Sequence, residues 1–455
     1  MRRRNNKSSL GVLSFFVLIV VGAVYLYTSE TFEQNAPAIT LDNNGYWNFK
    51  KPLKLNINDE SGVKSYKVTI KTKSDENSLD LETFITPKKN LDIEIKAPRS
   101  IYAIKDKKIK IIVEALDASK WNFFKGNSVV EEFDFIIDKR RPKIVTIAHS
   151  YKITKGGSAL VVFKATDENF ENIYIETNYG KKFKVKPFYK ENYYISLLAW
   201  PVTEDNFKAT IVAKDRAGNS SKSYIPLYLK QKSYKVSNIK ISDRFLKGKI
   251  AELAEEFEET QGVESSLEQF KIINEDVRAK NEILIHDITS NVSDEMISDF
   301  KINKMYPLRN AQVVASFGDH RKYSYKGNHL SESYHLGLDL ASNAMAKIIP
   351  QNGGEVVYSN FNGLYGNMPI IHHGLGLYTL YGHCSSVNVN SGEHVDKKTH
   401  VANSGKSGYA MGDHLHFGVL VQGIEVRPQE WMDTKWIKLN ISNIIKNAKE
   451  IIDRS

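Results

Sequence analysis

Hydrophobic and polar positions divide the chain into segments of different texture. From Ser8 to Ser29 no residue is charged, and LGVLSFFVLIVVGAVYLY is apolar except for one Ser and two Tyr. A run of that length crosses a hydrocarbon layer of about 30 Å as a helix, so 8–29 is expected to be a transmembrane anchor. A cleaved signal sequence ending near Val21-Gly22-Ala23 is the alternative, although the apolar run continues beyond that point through VYLY. Between 38 and 231 the pattern changes to period two, in LKLNIND, YKVTIKTK, LDIEIKA, KIKIIVEALD and FDFIID, then ALVVFKATD, IYIET, ATIVAKD and SYIPLYLK. Such alternation of β-branched and aromatic residues, interrupted by Gly, Asn and Asp, predicts antiparallel sandwiches.

An internal repeat divides that stretch in two. VEALDASKWNFFKGNSVVEEFDF and VAKDRAGNSSKSYIPLYL each read as a strand, an Asp turn, a Gly-Asn-Ser turn and a closing strand. The charge run and Pro142 in IIDKRRPKI mark the junction, giving modules at 38–139 and 140–231. Both resemble the bacterial immunoglobulin-like repeats of surface proteins, from which no function follows. Residues 240–300 read as helices: Ser242 and Asp243 can cap FLKGKIAELAEEFEET, and Ser265 with Glu268 forms a capping-box signature before LEQFKIINEDVRAKNEILIHDI. This segment is expected either to bridge modules or to dock, on the basic sandwiches or over a cleft. The tail 438–455 is expected to be helical.

Composition narrows the class. With 455 residues, 41% hydrophobic and 11% aromatic, the chain can bury several cores, which excludes disorder and small disulfide scaffolds. The single cysteine, Cys384, excludes an intramolecular disulfide and any CxxC metal or redox motif, so a metal would have to be held by His and carboxylate. The net charge of +10 is unevenly spread. The tail 1–7 is basic (Arg2, Arg3, Arg4, Lys7), which keeps the N-terminus cytoplasmic and places the main body across the membrane, in the periplasm if the host is Gram-negative. Residues 8–239 are basic, and their Lys-rich faces could meet anionic lipid or wall polymer or simply be solvated. Residues 240–300 are acidic, with 7 Lys+Arg against 15 Asp+Glu. Over 303–437 the charges nearly cancel, 11 against 10, which argues against a nucleic-acid groove there.

The chemistry-bearing residues crowd into that last stretch. Ten of the 12 histidines lie between His320 and His416. HLGLD sets His335 and Asp339 four apart, and HLH sets His414 and His416 two apart. In extended chain both spacings are even, so each pair projects from one face of a strand, and two such strands could present four metal-competent groups to one point. Periodicity alone leaves open whether His414 or His416 meets the metal. No GxxxxGK[ST] follows a strand, so nucleotide binding has no support.

SFGDHRKYSYKGNHLSESYHLGLDLAS, YGNMPIIHHGLGLYTLYGHCSS and SGKSGYAMGDHLHFGVLVQGIEVRP, in this order over about 305–435, resemble the successive motifs of the lysostaphin and LytM-type zinc endopeptidases that cut bacterial cell-wall peptides. The resemblance implies that His335, Asp339 and His416 bind one Zn2+, that His383 of YGH and His414 are the catalytic pair, and that the fold is a small, mostly antiparallel sheet forming a groove. Three protein ligands would leave a fourth position for water, whose pKa zinc lowers to about 7. Asp319 and Arg321 would shape the groove rim. His320, His329, His372, His373, His394 and His400 have no matching motif positions, and Cys384 is expected to pack rather than react. His372, Cys384 and Ala402 depart from the family's usual residues.

The expected architecture is therefore mainly β: a transmembrane helix, two Ig-like sandwiches, an acidic helical linker over 240–300 and an antiparallel-β peptidase domain over 303–437. The expected activity is that of a membrane-anchored zinc endopeptidase acting on peptidoglycan stems or cross-links, with the sandwiches as a stalk and 240–300 as a candidate restraint. A non-catalytic wall-binding or hydrolase-activating module is the alternative. The sequence is silent on oligomeric state.

Overall fold

The computed structural model describes residues 7–42, 44–73, 76–97 and 106–455, so most of the basic tail at 1–7 lies outside the described residues. The protein is mostly β, with one N-terminal apolar helix, Lys7–Thr28, and an antiparallel C-terminal domain. That helix includes an uncharged stretch, Gly11–Thr28, long and apolar enough to cross a membrane. The chain forms two compact units: residues 1–142 with the short segments 169–171 and 214–220, and the remainder.

In the first unit the described strands belong to one hydrogen-bonded network. They make one six-stranded sheet around the long strand Leu53–Lys71, which pairs with Glu76–Ile95 along most of its length. Its other edge takes Ala38–Leu41 near one end and Lys108–Asp117 near the other. The ladder breaks between Asn58 and Ser65, around Gly62 at φ 94°. Leu55 and Ile57 before the break share a core with Val68, Ile70, Ile111 and Phe135 beyond it, so the sheet must curl over its own apolar face. The break removes the hydrogen bonds that would otherwise hold one flat layer.

The internal repeat has a structural counterpart. Asp117 accepts the Asn127 amide N–H and side-chain NH2, both at 2.8 Å. Asp215 accepts the same pair from Asn219, at 2.7 and 2.8 Å. Each carboxylate thus closes the turn after its strand by satisfying two donors of a downstream Asn.

The second unit opens with two four-stranded sheets built from residues 143–224. The strand Ser158–Thr166, ALVVFKA almost throughout, is buried on both faces. This module is fused to the C-terminal domain rather than strung from it. Gln422, at a hairpin tip of that domain, accepts from Lys184 N at 2.8 Å and donates to Lys184 O at 3.0 Å. The C-terminal helix Asn443–Arg454 buries Ile445, Ala448 and Ile452, spaced for one helical face, and packs on strands Lys143–His149 and Ser158–Thr166.

Residues 243–256 and 266–289 are helical, separated by a single 3-10 turn at Glu258–Thr260, with Ser242 capping Phe245 N and Ser265 capping Glu268 N as the sequence suggests. The segment docks. Phe270, Ile273, Val277 and Ile285 share one core with Tyr365, Met368, Ile370, Tyr378, Leu380 and Leu420 of the C-terminal sheet. A fragment limited to 300–437 is therefore expected to expose that apolar face and to unfold, or aggregate, at a lower temperature than a 143–455 fragment. Thermal unfolding with a hydrophobic dye checks this, and equal midpoints would contradict the shared core.

The C-terminal domain is an antiparallel sheet of eight strands. Its main path runs Gln312–Ala315, Leu338–Ala341, Leu415–Val421, Leu377–Gly382, Asn367–His372, Gly354–Phe361 and His394–Val395. Ile424–Val426 adds to Leu415–Val421. Beside it lies a three-stranded sheet in which Val236–Lys240 pairs in parallel with His320–Tyr325.

Candidate metal centre and its cleft

Register brings the site together. Across the sheet Asp339 is paired with His416, and His416 in turn with Gly382, so His383, one residue on, emerges beside both. His335 lies outside any strand, in the connection between Asn328–Tyr334 and Leu338–Ala341. The even-spacing expectation for His335 and Asp339 is thus corrected: a turn, not one continuous strand, brings them together. The turn is pinned by Gly318 N donating to His335 O at 2.7 Å and His335 N donating to Asp319 O at 3.0 Å.

His335 Nε2, Asp339 Oδ1 and His416 Nδ1 lie 2.9, 2.9 and 3.1 Å from one another, and all three residues are buried. His335 Nδ1 is 2.9 Å from the Ser316 carbonyl, to which it can only donate. In neutral His335, Nε2 therefore carries a lone pair, facing a carboxylate oxygen and a second imidazole nitrogen. A carboxylate oxygen and two imidazole nitrogens this close must share a proton or a metal cation. A tetrahedral zinc with bonds of about 2.0–2.1 Å spaces its ligands roughly 3.3 Å apart, within a few tenths of an ångström of these separations. The donor set fits a zinc ion. Burial pushes the Asp339 pKa up, but the two imidazoles beside it, His335 and His416, outweigh it and hold the carboxyl well below its usual range. Burial lowers the His416 pKa, which favours the neutral, ligating form.

Two further imidazoles flank this trio. His414 Nδ1 donates to Gly412 O at 2.8 Å, and His383 Nδ1 donates to Ser407 O at 2.9 Å. Both Nε2 atoms are therefore lone-pair sites in the neutral rings. His414 Nε2 is 3.7 Å from Asp339 Oδ2, and the two ring centres are 4.8 Å apart. His383 is held at φ 63°, uncommon for a non-glycine, by its N–H donating to Tyr365 O at 2.7 Å. Burial, with His416 and His414 adding to it, pushes its pKa down to about 3, so the ring is neutral at physiological pH.

These groups line a cleft of about 670 Å³. One part of its lining comes from outside the domain that carries the histidines: Ile239 to Ser242, Phe245 and Arg278 belong to the helical segment and the strand before it. That segment also steadies the loop behind the ligands. Asn281 Oδ1 accepts Leu364 N at 2.8 Å, and the next residue, Tyr365, sets its ring edge-on to His416 with centroids 5.4 Å apart. No local motif marks Asn281.

Gly337, between His335 and Asp339, also escapes sequence reasoning. A Cβ there would sit 2.5 Å from His416 Cε1 and 3.0 Å from the Phe417 carbonyl. Asp319 accepts the Ser237 hydroxyl at 2.8 and 2.9 Å, tying the Val236–Lys240 strand to the residue before strand His320–Tyr325, and Arg321 lines the cleft. The remaining histidines are engaged elsewhere: His320 with Glu332 at 2.6 Å, His373 with Gly353 O and Thr379, His400 with Asn403, and His372 stacked on Tyr378. His329 lies 3.9 Å from Glu332 and His394 is exposed. Cys384 is fully buried, donates to Tyr381 O and has its thiol pushed up to about 12 by burial, so it packs rather than reacts.

Residues 333–428 match the family model described as Peptidase family M23. The chain is similar to peptidoglycan DD-endopeptidase ShyB of Vibrio cholerae, 27% identical over 155 residues that cover 34% of this chain and 35% of that protein. It is also similar to peptidoglycan DD-endopeptidase ShyA of the same organism, 32% identical over 120 residues covering 26% and 28%. Among solved structures, the catalytic domain of lysostaphin from Staphylococcus simulans is 23% identical with a TM-score of 0.23, covering 27% of this chain and 92% of that one. The chain spans about a third of the length of ShyB and less of ShyA. A peptidase M23 domain thus occupies the C-terminal part of the chain.

Proposed function

We propose that this chain, with its M23 domain, is a membrane-anchored zinc endopeptidase that hydrolyses amide bonds in the peptide stems or cross-links of bacterial peptidoglycan. The observation that carries the reading is the convergence of His335 Nε2, Asp339 Oδ1 and His416 Nδ1 within 3.1 Å of one another in a cleft that also contains His383 and His414. The peptidoglycan DD-endopeptidase relatives support the substrate class. The uncharged stretch Gly11–Thr28 of the N-terminal helix supports the anchor, and the basic residues before it support a cytoplasmic N-terminus with the body exported, in the periplasm of a Gram-negative host. The β modules at 38–139 and 140–231 and the helical 240–300 segment would then stand on the exported side with the 303–437 peptidase.

His335, Asp339 and His416 would hold the ion, which when bound supplies an activated water and a Lewis acid for the scissile carbonyl. The protein's own work follows from where its protons are held. His383 and His414 each keep Nδ1–H on a backbone carbonyl, so each Nε2 can take a proton from the attacking water and pass one to the leaving amine. Tyr365, packed edge-on to His416, limits rotation of that ring. The reading is tested with purified sacculi. The chain is expected to release peptide products identifiable by mass spectrometry, to stop on chelation and to recover with added zinc. Undiminished release in chelator would refute it.

A further inference from the structure

The cleft that contains the three ligands is also lined by two guanidinium groups, Arg278 of helix Arg278–Thr289 and Arg321 of strand His320–Tyr325. Arg278 Nε and Nη2 donate to Asn274 O at 3.2 Å and Asn274 Oδ1 at 3.0 Å. Asn274 is itself buried and anchored by donating to Ser331 Oγ at 2.8 Å. These neutral partners orient the guanidinium without balancing its charge, and among the described residues Arg278 enters no ion pair. Glu282, one helical turn on, is pushed up to about 7 by burial and by Glu425, so it does not fully compensate. Arg321 has Asp319 at 3.7 Å, a carboxylate already shared with the Ser237 hydroxyl.

Both cations act on one group. Burial raises the Tyr409 hydroxyl pKa and Tyr323 adds to the rise, while Arg278 and Arg321 both oppose it. Half-buried cations that lack full partners are costly until an anion enters, and the fork of a guanidinium matches a carboxylate.

We propose that Arg278 and Arg321 form a carboxylate-binding subsite that holds a free carboxyl group of the peptide substrate. The proposal rests on the endopeptidase reading above and deepens it. In an amide between two D-centres the leaving nitrogen sits on a carbon that also bears a carboxyl group, so such a substrate carries an anion on the carbon next to the nitrogen being released. Arg278 lies outside the matched residues 333–428, which makes the helical segment part of the substrate site rather than a tether.

The test uses the full-length chain in detergent with zinc and two cross-linked peptide dimers differing only in whether the carboxyl beside the scissile amide is free or amidated. Wild type is expected to prefer the free-carboxyl dimer in kcat/KM and in Kd by calorimetry, with the difference in KM rather than kcat. R278Q and R321Q should each lower that preference about tenfold, the loss of one charge-assisted contact, whereas R278K retains most of it. Equal binding of the two dimers by wild type overturns the subsite. So does a preference unchanged in both glutamine variants with their unfolding temperatures intact. Because binding is read apart from turnover, failure to cleave either dimer refutes the endopeptidase reading, while a binding preference lost in R278Q would still uphold the subsite.

Discussion

Replacing His416 by alanine is expected to leave the chain without stoichiometric zinc and to lower cleavage of purified wall material by at least about 10³-fold. The imidazole supplies one of only three protein donors, and its removal leaves His335 Nε2 and Asp339 Oδ1, 2.9 Å apart, as a two-point site without the third corner of the tetrahedron. Asp339 also loses one of the two imidazole neighbours that hold it ionised against burial. His414→Ala is the informative contrast. His414 Nε2 stands 3.7 Å from Asp339 Oδ2, outside the triangle of ligand atoms, so the variant should retain about one zinc per chain and lose about 10²–10⁴-fold in turnover, as expected for removal of a proton-transfer group. Metal analysis of the purified variants beside product release separates the two roles. Full cleavage by the His416 variant, or loss of zinc from the His414 variant, would contradict the assignment.

Gly337→Ala, a change that adds one methyl group and removes no donor, should weaken zinc binding by about 10–100-fold, the range seen when the support of a metal ligand is disturbed. The new Cβ would fall 2.5 Å from His416 Cε1 and close to its Nε2, with the Phe417 carbonyl at 3.0 Å. The ring cannot swing freely, because Tyr365 packs edge-on to it and the strand carrying it is paired on both sides. The methyl group is accommodated by moving the ligand, at an overpacking cost of about 1–3 kcal/mol. Zinc titration against a competing chelator measures the affinity, and circular dichroism shows whether the sheet survives. Unchanged zinc affinity in a folded variant would mean that the backbone yields there, and the tight packing of this corner would be wrong.

The apolar N-terminal run, the strand texture of 38–231 and the capped helices after Ser242 and Ser265 are all local properties, set by hydropathy period and by side chains that reach backbone groups three residues away. They were therefore readable without coordinates. The repeat built on Asp117 and Asp215 was readable for the same reason, since each carboxylate serves an Asn of the turn that follows it. The single curled sheet of the first unit was not: pairing of Leu53–Lys71 with partners on both edges depends on a register break at Gly62 that alternation of side chains leaves unmarked. The fusion of the second β module with the C-terminal domain through Gln422 and the C-terminal helix is likewise a product of long-range packing.

The site divides along the same line. His335, Asp339, His383, His414 and His416 were named from the resemblance that HLGLD, YGH and HLH carry in that order, whereas residue types and spacing alone left open which histidine of HLH meets the metal. Whether those atoms converge was decided by tertiary structure alone. Pairing of Asp339 with His416, the turn that returns His335 to them, and the carbonyls of Ser316, Gly412 and Ser407 that select each tautomer come from segments up to 81 residues apart. Arg278, Asn281 and Gly337 were equally invisible, since a lining charge, a loop anchor and a forbidden methyl group are defined by what stands opposite them in space. A sequence specifies which donors exist; only the folded sheet and the helices packed on it determine which lone pairs meet at one point.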